Sequence, residues 1–310
     1  MKAFIKYIIV VMILMSSLTT IAQQLPQFTQ YMYNTLSVNP AYAGSRETLS
    51  IMGLHRSQWA GFAGAPTTQT LSIHSPLRND KIGLGFSFIN DELGNENYVY
   101  LYTDFSYTIN TGNNSELAFG LKGGFTSFTL DPGYRNSQPD DPLIQGSEDR
   151  WTPNIGAGVF WHSERWYLGL SAPRLINNDF NTDAGYKALE RISYYFTGGY
   201  VFDAGKNTKF KPAFMLKATN GAPVSVDLSG NFLFNEKFWL GAAYRFNESA
   251  GAFGVMTDYQ VSPSWRIGYT YEHPNSEIRP FSNGTHEIFL MYEFFNKTSS
   301  PNRVKSPRYY

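Results

Sequence analysis

Five histidines, at positions 55, 74, 162, 273 and 286, are the side chains best suited to moving protons or holding a metal in this 310-residue chain. A zinc hydrolase needs two histidines one helical turn apart with a glutamate between them. His286 is followed by Glu287 but by no second histidine at that spacing. His55 and His74 fall near the ends of adjacent expected strands, where they could approach each other; otherwise all five read as lumen-facing or girdle residues. Five carboxylates crowd one stretch, Asp131, Asp140, Asp141, Glu148 and Asp149. Calcium gathers six to eight oxygens, but this spacing fits no EF-hand, and a solvated loop accounts for it. Cysteine is absent. That removes disulfides, thiol nucleophiles, thiolate metal sites and lipid attachment at a bacterial lipobox. No G-x-S-x-G elbow is present either. The expectation is no catalytic residue, no metal and no cofactor, so a protein that binds rather than turns over.

The elements that would position such a surface follow from composition. Aromatic and charged residues each make up 16%, and the charged share is well under the typical quarter. Mean hydropathy is nevertheless −0.31. Many aromatics, few charges and a middling hydropathy suit a membrane barrel that alternates lipid-facing and lumen-facing residues. A helical membrane protein would need runs of about 20 apolar residues, which do not occur beyond the first 22 positions. Basic and acidic residues number 25 each. With Lys2 and Lys6 set aside as part of a leader, the remainder is slightly acidic and offers no electrostatic case for a nucleic-acid partner.

From 47 to 296, about 14 segments carry period-2 character. Trp265, Ile267, Tyr269 and Tyr271 alternate with Arg266, Gly268, Thr270 and Glu272; Ile82, Leu84, Phe86 and Phe88 alternate with Gly83, Gly85 and Ser87. A strand puts such sets on opposite faces, whereas a helix would scatter them. Leu77–Asp80, Asn110–Asn114, Ser163-Glu164, Asp203–Asn207, Asn235-Glu236 and Val261–Ser264 read as tight turns. The longer connections, near 130–149, 173–189 and 274–283, fall in the other set. Short turns on one side and long loops on the other, with an even strand number, is the layout of an outer-membrane barrel with both chain ends on the periplasmic side. A soluble sandwich or propeller also alternates but does not explain that asymmetry. The expected fold is all-β: a transmembrane antiparallel barrel of about 14 strands preceded by a short candidate plug.

The expected organisation has four parts. Residues 1–22 read as a signal peptide, with Lys2 and Lys6, an apolar core from Tyr7 to Leu14, and Thr20-Ile21-Ala22 as the cleavage site. That implies export by the general secretory pathway to the outer membrane of a Gram-negative cell. Residues 23–46 form a pre-barrel segment in which Phe28, Tyr31, Met32, Tyr33 and Leu36 recur at near-helical spacing. Such an apolar face needs cover, so the segment is expected to fold into or under the barrel; the alternative is an extension ordered by a partner. Residues 47–296 make the barrel, ending in the strand Thr285–Phe295. Residues 297–310 are a periplasmic tail, either a linker or a contact for a partner. Lys122, Asp227, Arg245, Arg266, Glu272 and Glu293 are expected to face the lumen, where they could line a pore, pair with one another or meet a plug.

The opening residues are more specific. Gln27-Phe28-Thr29-Gln30-Tyr31-Met32-Tyr33-Asn34, Asn39-Pro40-Ala41-Tyr42-Ala43-Gly44, Gly53-Leu54-His55-Arg56-Ser57-Gln58-Trp59, Gly64-Ala65-Pro66-Thr67-Thr68-Gln69 and His74-Ser75-Pro76-Leu77 follow in order. This series resembles the start of the PorP/SprF family. The resemblance implies an outer-membrane barrel of Bacteroidota associated with type IX secretion and gliding motility. Implied partners are outer-membrane lipid, the periplasmic ring components of that secretion system, and a large secreted adhesin-like cargo. Gln30, Tyr31, Asn34, Asn39, Pro40, Arg56, Gln58, Trp59, Gly64 and Pro66 are the candidates for partner contact, or equally for closing the barrel or its plug. A porin or small-solute transporter is the alternative function.

Overall fold

The computed structural model describes residues 27–112, 114–131, 150–179, 189–247 and 251–294. Fourteen antiparallel strands form the wall: β1 Leu49–Ser57, β2 Thr67–Pro76, β3 Ile82–Leu93, β4 Glu96–Gly112, β5 Ser115–Leu130, β6 Arg150–Ser163, β7 Trp166–Ala172, β8 Ser193–Tyr200, β9 Thr208–Thr219, β10 Ser225–Phe234, β11 Phe238–Phe246, β12 Ala252–Gln260, β13 Trp265–Pro274 and β14 Thr285–Phe294. Each pairs with the next, and β1 pairs with β14, Leu49 opposite Phe294 and Ser57 opposite His286. The sheet therefore closes on itself and leaves no free edge, the condition for a sheet to cross a bilayer.

Alternation builds this wall. On β14, Ile288, Leu290 and Phe294 are exposed outward, while Thr285, Glu287, Phe289, Met291 and Glu293 are buried inward. On β13, Trp265, Ile267 and Tyr269 face out, and Arg266, Thr270 and Glu272 face in. Turn chemistry sets the registers. Asn235 and Glu236 both take positive φ, 51° and 55°, the pattern of a type I′ hairpin whose twist matches its strands. The connections at 77–81, 164–165, 235–237 and 261–264 lie at one end, the turn side. Those at 58–66 and 275–284 lie at the other, the loop side, as do the ends of β5 and β6 and of β7 and β8 that flank 132–149 and 180–188.

Three expectations change. His55 and His74 do not approach each other. Register places His55 opposite Gln69, five positions from His74, and an odd offset puts the two on opposite faces; His55 points outward and His74 inward. The inner face is not uniformly polar, because Met52, Leu54, Met215, Met256, Phe289 and Met291 point inward and pack together. The pre-barrel segment is mostly turns, with a four-residue helix, α1, at Thr35–Val38 and a 3-10 turn at Pro40–Tyr42, and its described upstream end, Gln27, lies on the loop side rather than the turn side. The proposed leader, residues 23–26, the tail 297–310 and four of the five clustered carboxylates lie outside the described residues.

Candidate functional site: the lumen and its plug

The lumen is filled by the chain's own residues 27–46. Leu36 and Ala41 are 1% and 0% exposed. Phe28, Tyr31, Met32, Tyr33 and Val38 join the inward methionines and Phe289 in one apolar cluster. Here lies the reason for the apolar inner positions: a filled lumen is a packing interface, so part of the wall must match the plug's own apolar side chains.

Two chemically different contacts hold the plug. Its first half meets a buried ion network on β10, β11, β13, β14 and β1. Arg245 pairs with Asp227 at 2.8 Å and with Glu272 at 3.4 Å. Arg56 pairs with Glu272 at 3.0 Å and also with Glu287. The plug supplies hydrogen-bond donors to all three carboxylates of this network. The Gln27 amide donates to Asp227 at 2.5 Å, the Thr29 hydroxyl donates to Glu272, and the backbone N–H groups of Thr29 and Gln30 donate to Glu287 at 2.9 and 3.1 Å. Lower down, the Tyr33 hydroxyl donates to Asp258 at 2.6 Å, and Arg46 pairs with Glu293 at 2.6 Å. Buried pairs of this kind cost desolvation. Here they tie the plug to the wall at several points along its length.

The second half rests on glycines. A methyl group at Gly83 would sit 2.1 Å from the Ala43 carbonyl oxygen, at Gly120 2.1 Å from the Ala41 nitrogen, and at Gly158 2.2 Å from Asn39 Oδ1. No side chain fits there, so Asn39–Ala43 lies flat against the wall, its backbone on β3 and β5 and its Asn39 side chain on β6. Hydrogen bonds lock it. The Asn39 amide donates to the Val159 carbonyl at 3.0 Å, Ser171 to the Val38 carbonyl at 2.7 Å, Ser106 to the Ala43 carbonyl at 2.6 Å, and the Gly44 N–H to His74 at 3.1 Å. Lys122, ion-paired with Asp104 at 2.8 Å, also donates to the Leu36 carbonyl at 3.3 Å.

The ten candidate residues therefore divide. Gln30, Tyr31, Asn34, Asn39 and Pro40 are buried in the lumen, and Arg56 sits in its wall. Gln58, Trp59, Gly64 and Pro66 lie in the β1–β2 connection on the loop side. There Gln58 N–H donates to the Pro66 carbonyl at 2.9 Å, and Gly94 N–H to the Gly64 carbonyl at 3.0 Å. Trp59 and Gly64 take φ of 52° and 74°. The Trp59 N–H donates to Thr285 at 3.2 Å. Lys122, Asp227, Arg245, Arg266, Glu272 and Glu293 are all buried inward; Arg245 pairs with Asp227 and Glu272, Glu293 with Arg46 of the plug, and Lys122 and Arg266 with Asp104 and Asp258 in the wall. The sequence reading missed Glu287, Asp104, Asp258 and Arg46. The first three sit at alternating positions on the polar faces of their strands, which is the signal that could have found them; Arg46 gives no such signal. On the turn-side rim, outside the bilayer, the hydrogen bond from Arg165 holds the Asp203 carboxyl below the usual carboxylate range, across 2.6 Å. Among the described residues, no group of three or more His, Asp or Glu is placed to hold a metal ion.

The fold is shared with a solved barrel, and weaker likenesses to others accompany it. The monoaromatic hydrocarbon channel CymD superposes with a TM-score of 0.50 at 12% identity, covering 88% of this chain and 94% of that one. The Acinetobacter baumannii outer membrane protein Omp33 gives 0.48 at 9% identity, covering 81% and 100%. The KdgM porin gives 0.40 at 10%, covering 79% and 99%. No curated protein matches the chain. The family described as type IX secretion system membrane protein PorP/SprF matches residues 20–292.

Proposed function

This chain belongs to the PorP/SprF family of type IX secretion system membrane proteins, and from that premise we propose that it is a non-enzymatic anchor for the secretion machinery or for a protein exported to the cell surface. The chain is an outer-membrane β-barrel. One observation carries the proposal: the lumen is occupied by residues 27–46, pinned to the wall by the Arg56–Glu287–Glu272–Arg245–Asp227 network on one side and by the glycine shelf on the other. A barrel filled in this way suits holding a fixed shape on both sides of the membrane. The turn side then docks periplasmic ring components, and the loop side, with Gln58, Trp59, Gly64 and Pro66, presents a surface to exported cargo.

Planar-bilayer recording separates this reading from the porin alternative. A silent barrel is the expected result, and a steady current of porin size overturns it. In the producing cell, deletion of the gene should remove a large exported protein from the surface while other outer-membrane proteins persist. An unchanged surface protein profile would count against the anchoring role.

A further inference from the structure

The plug runs through the lumen in one direction. On β14, Glu287 lies near the loop side and Glu293 near the turn side. The N–H groups of Thr29 and Gln30 bond Glu287, and Arg46 bonds Glu293. Six residues separate these two carboxylates, about 20 Å along an antiparallel strand. Gln27 lies further still toward the loop side, with its amide on Ser225 and Asp227 at the loop end of β10. The chain then descends, and β1 starts at the turn side with Leu49 opposite Phe294.

We propose that the N-terminus of the mature protein opens onto the loop side, at the outer surface of the cell, and not into the periplasm. With cleavage after Ala22, four residues precede Gln27. Fully extended they reach at most about 14 Å, short of the 20 Å back to the turn side, which the plug already fills. Gln27 and the connections 58–66 and 275–284 therefore lie at the same end of the barrel, and the plug is a continuous covalent link between that end and the turn-side rim. This topology does not depend on which partner is bound.

The chain has no cysteine, so each introduced thiol is the only one present. Gln24→Cys tests the N-terminal end. Asn220→Cys, exposed between β9 and β10, reports the loop side, and Lys206→Cys, exposed between β8 and β9, reports the turn side. Each variant is first confirmed as a folded barrel by its heat-modifiable migration. On intact cells, a membrane-impermeant maleimide should label Gln24→Cys and Asn220→Cys to similar extents, with Lys206→Cys labelled only after the outer membrane is permeabilised. The proposal is overturned if Gln24→Cys behaves as Lys206→Cys does, or reacts only after unfolding in detergent. The two controls establish the barrel's orientation separately, so an inverted barrel is told apart from an N-terminus on the turn side.

Discussion

Replacing Glu287 by alanine should release the first half of the plug while leaving the wall intact. Glu287 is 0% exposed and accepts three bonds: the N–H groups of Thr29 and Gln30 from the plug, and the Arg56 guanidinium from β1. Without it, two buried N–H groups lose their acceptor, at about 1–3 kcal/mol each. Breaking a buried ion pair from one side costs about 3–5 kcal/mol. The two figures count the same carboxylate in part, and Arg56 keeps Glu272 at 3.0 Å, so they do not add in full. A working value is about 4 kcal/mol, and at about 1.4 kcal/mol per tenfold the docked-to-released ratio of the plug falls roughly a thousandfold. Amide hydrogen exchange on the detergent-solubilised barrel reads this directly. Protection across residues 28–38 should drop by about that factor, with the ladder amides of β3–β6 unchanged. Glu287→Gln keeps one carbonyl oxygen for the plug and should show a smaller drop. Unaltered plug protection in Glu287→Ala would refute the latch. Equal loss over plug and wall would refute the idea that the plug opens by itself.

The glycine shelf predicts a sharp contrast between two neighbours on β5. Gly120→Ala drives a methyl group to 2.1 Å from the Ala41 nitrogen, whereas Gly123→Ala meets nothing within 4 Å; thermal unfolding in detergent should show a loss of about 1–3 kcal/mol for the first and little change for the second. Equal effects would mean that the plug does not lie against β5. At the β10–β11 turn, Glu236 holds φ of 55°, so Glu236→Gly should be neutral or stabilising and Glu236→Val destabilising by roughly 1 kcal/mol or more in the same assay. The reverse order would contradict a type I′ turn.

The wall was legible in the sequence because its signal is local. Whether Ile288, Leu290 and Phe294 face lipid while Glu287 and Glu293 face inward follows from period 2 alone, and the tight turns mark where each strand reverses. The family was legible too, in the ordered blocks of the first third. What local pattern could not convey was which inward residues meet. Thr29 and Glu287 are 258 positions apart, and Gln27 and Asp227 are 200 apart; their contact depends on register summed around the closed sheet and on where the plug threads it. The register of β1 on β2 likewise separated His55 from His74, since an offset of one residue changes the face. Gly83, Gly120 and Gly158 are small residues in the wall, and only the plug lying against them, by its backbone at the first two and by the Asn39 side chain at the third, makes their missing side chains a requirement. The inward methionines are the converse case: apolar residues on a face expected to be polar, explained once the lumen proves to be filled. The alternation of single strands thus determined the barrel, while its interior was decided by closure, which joins residues that no local pattern relates.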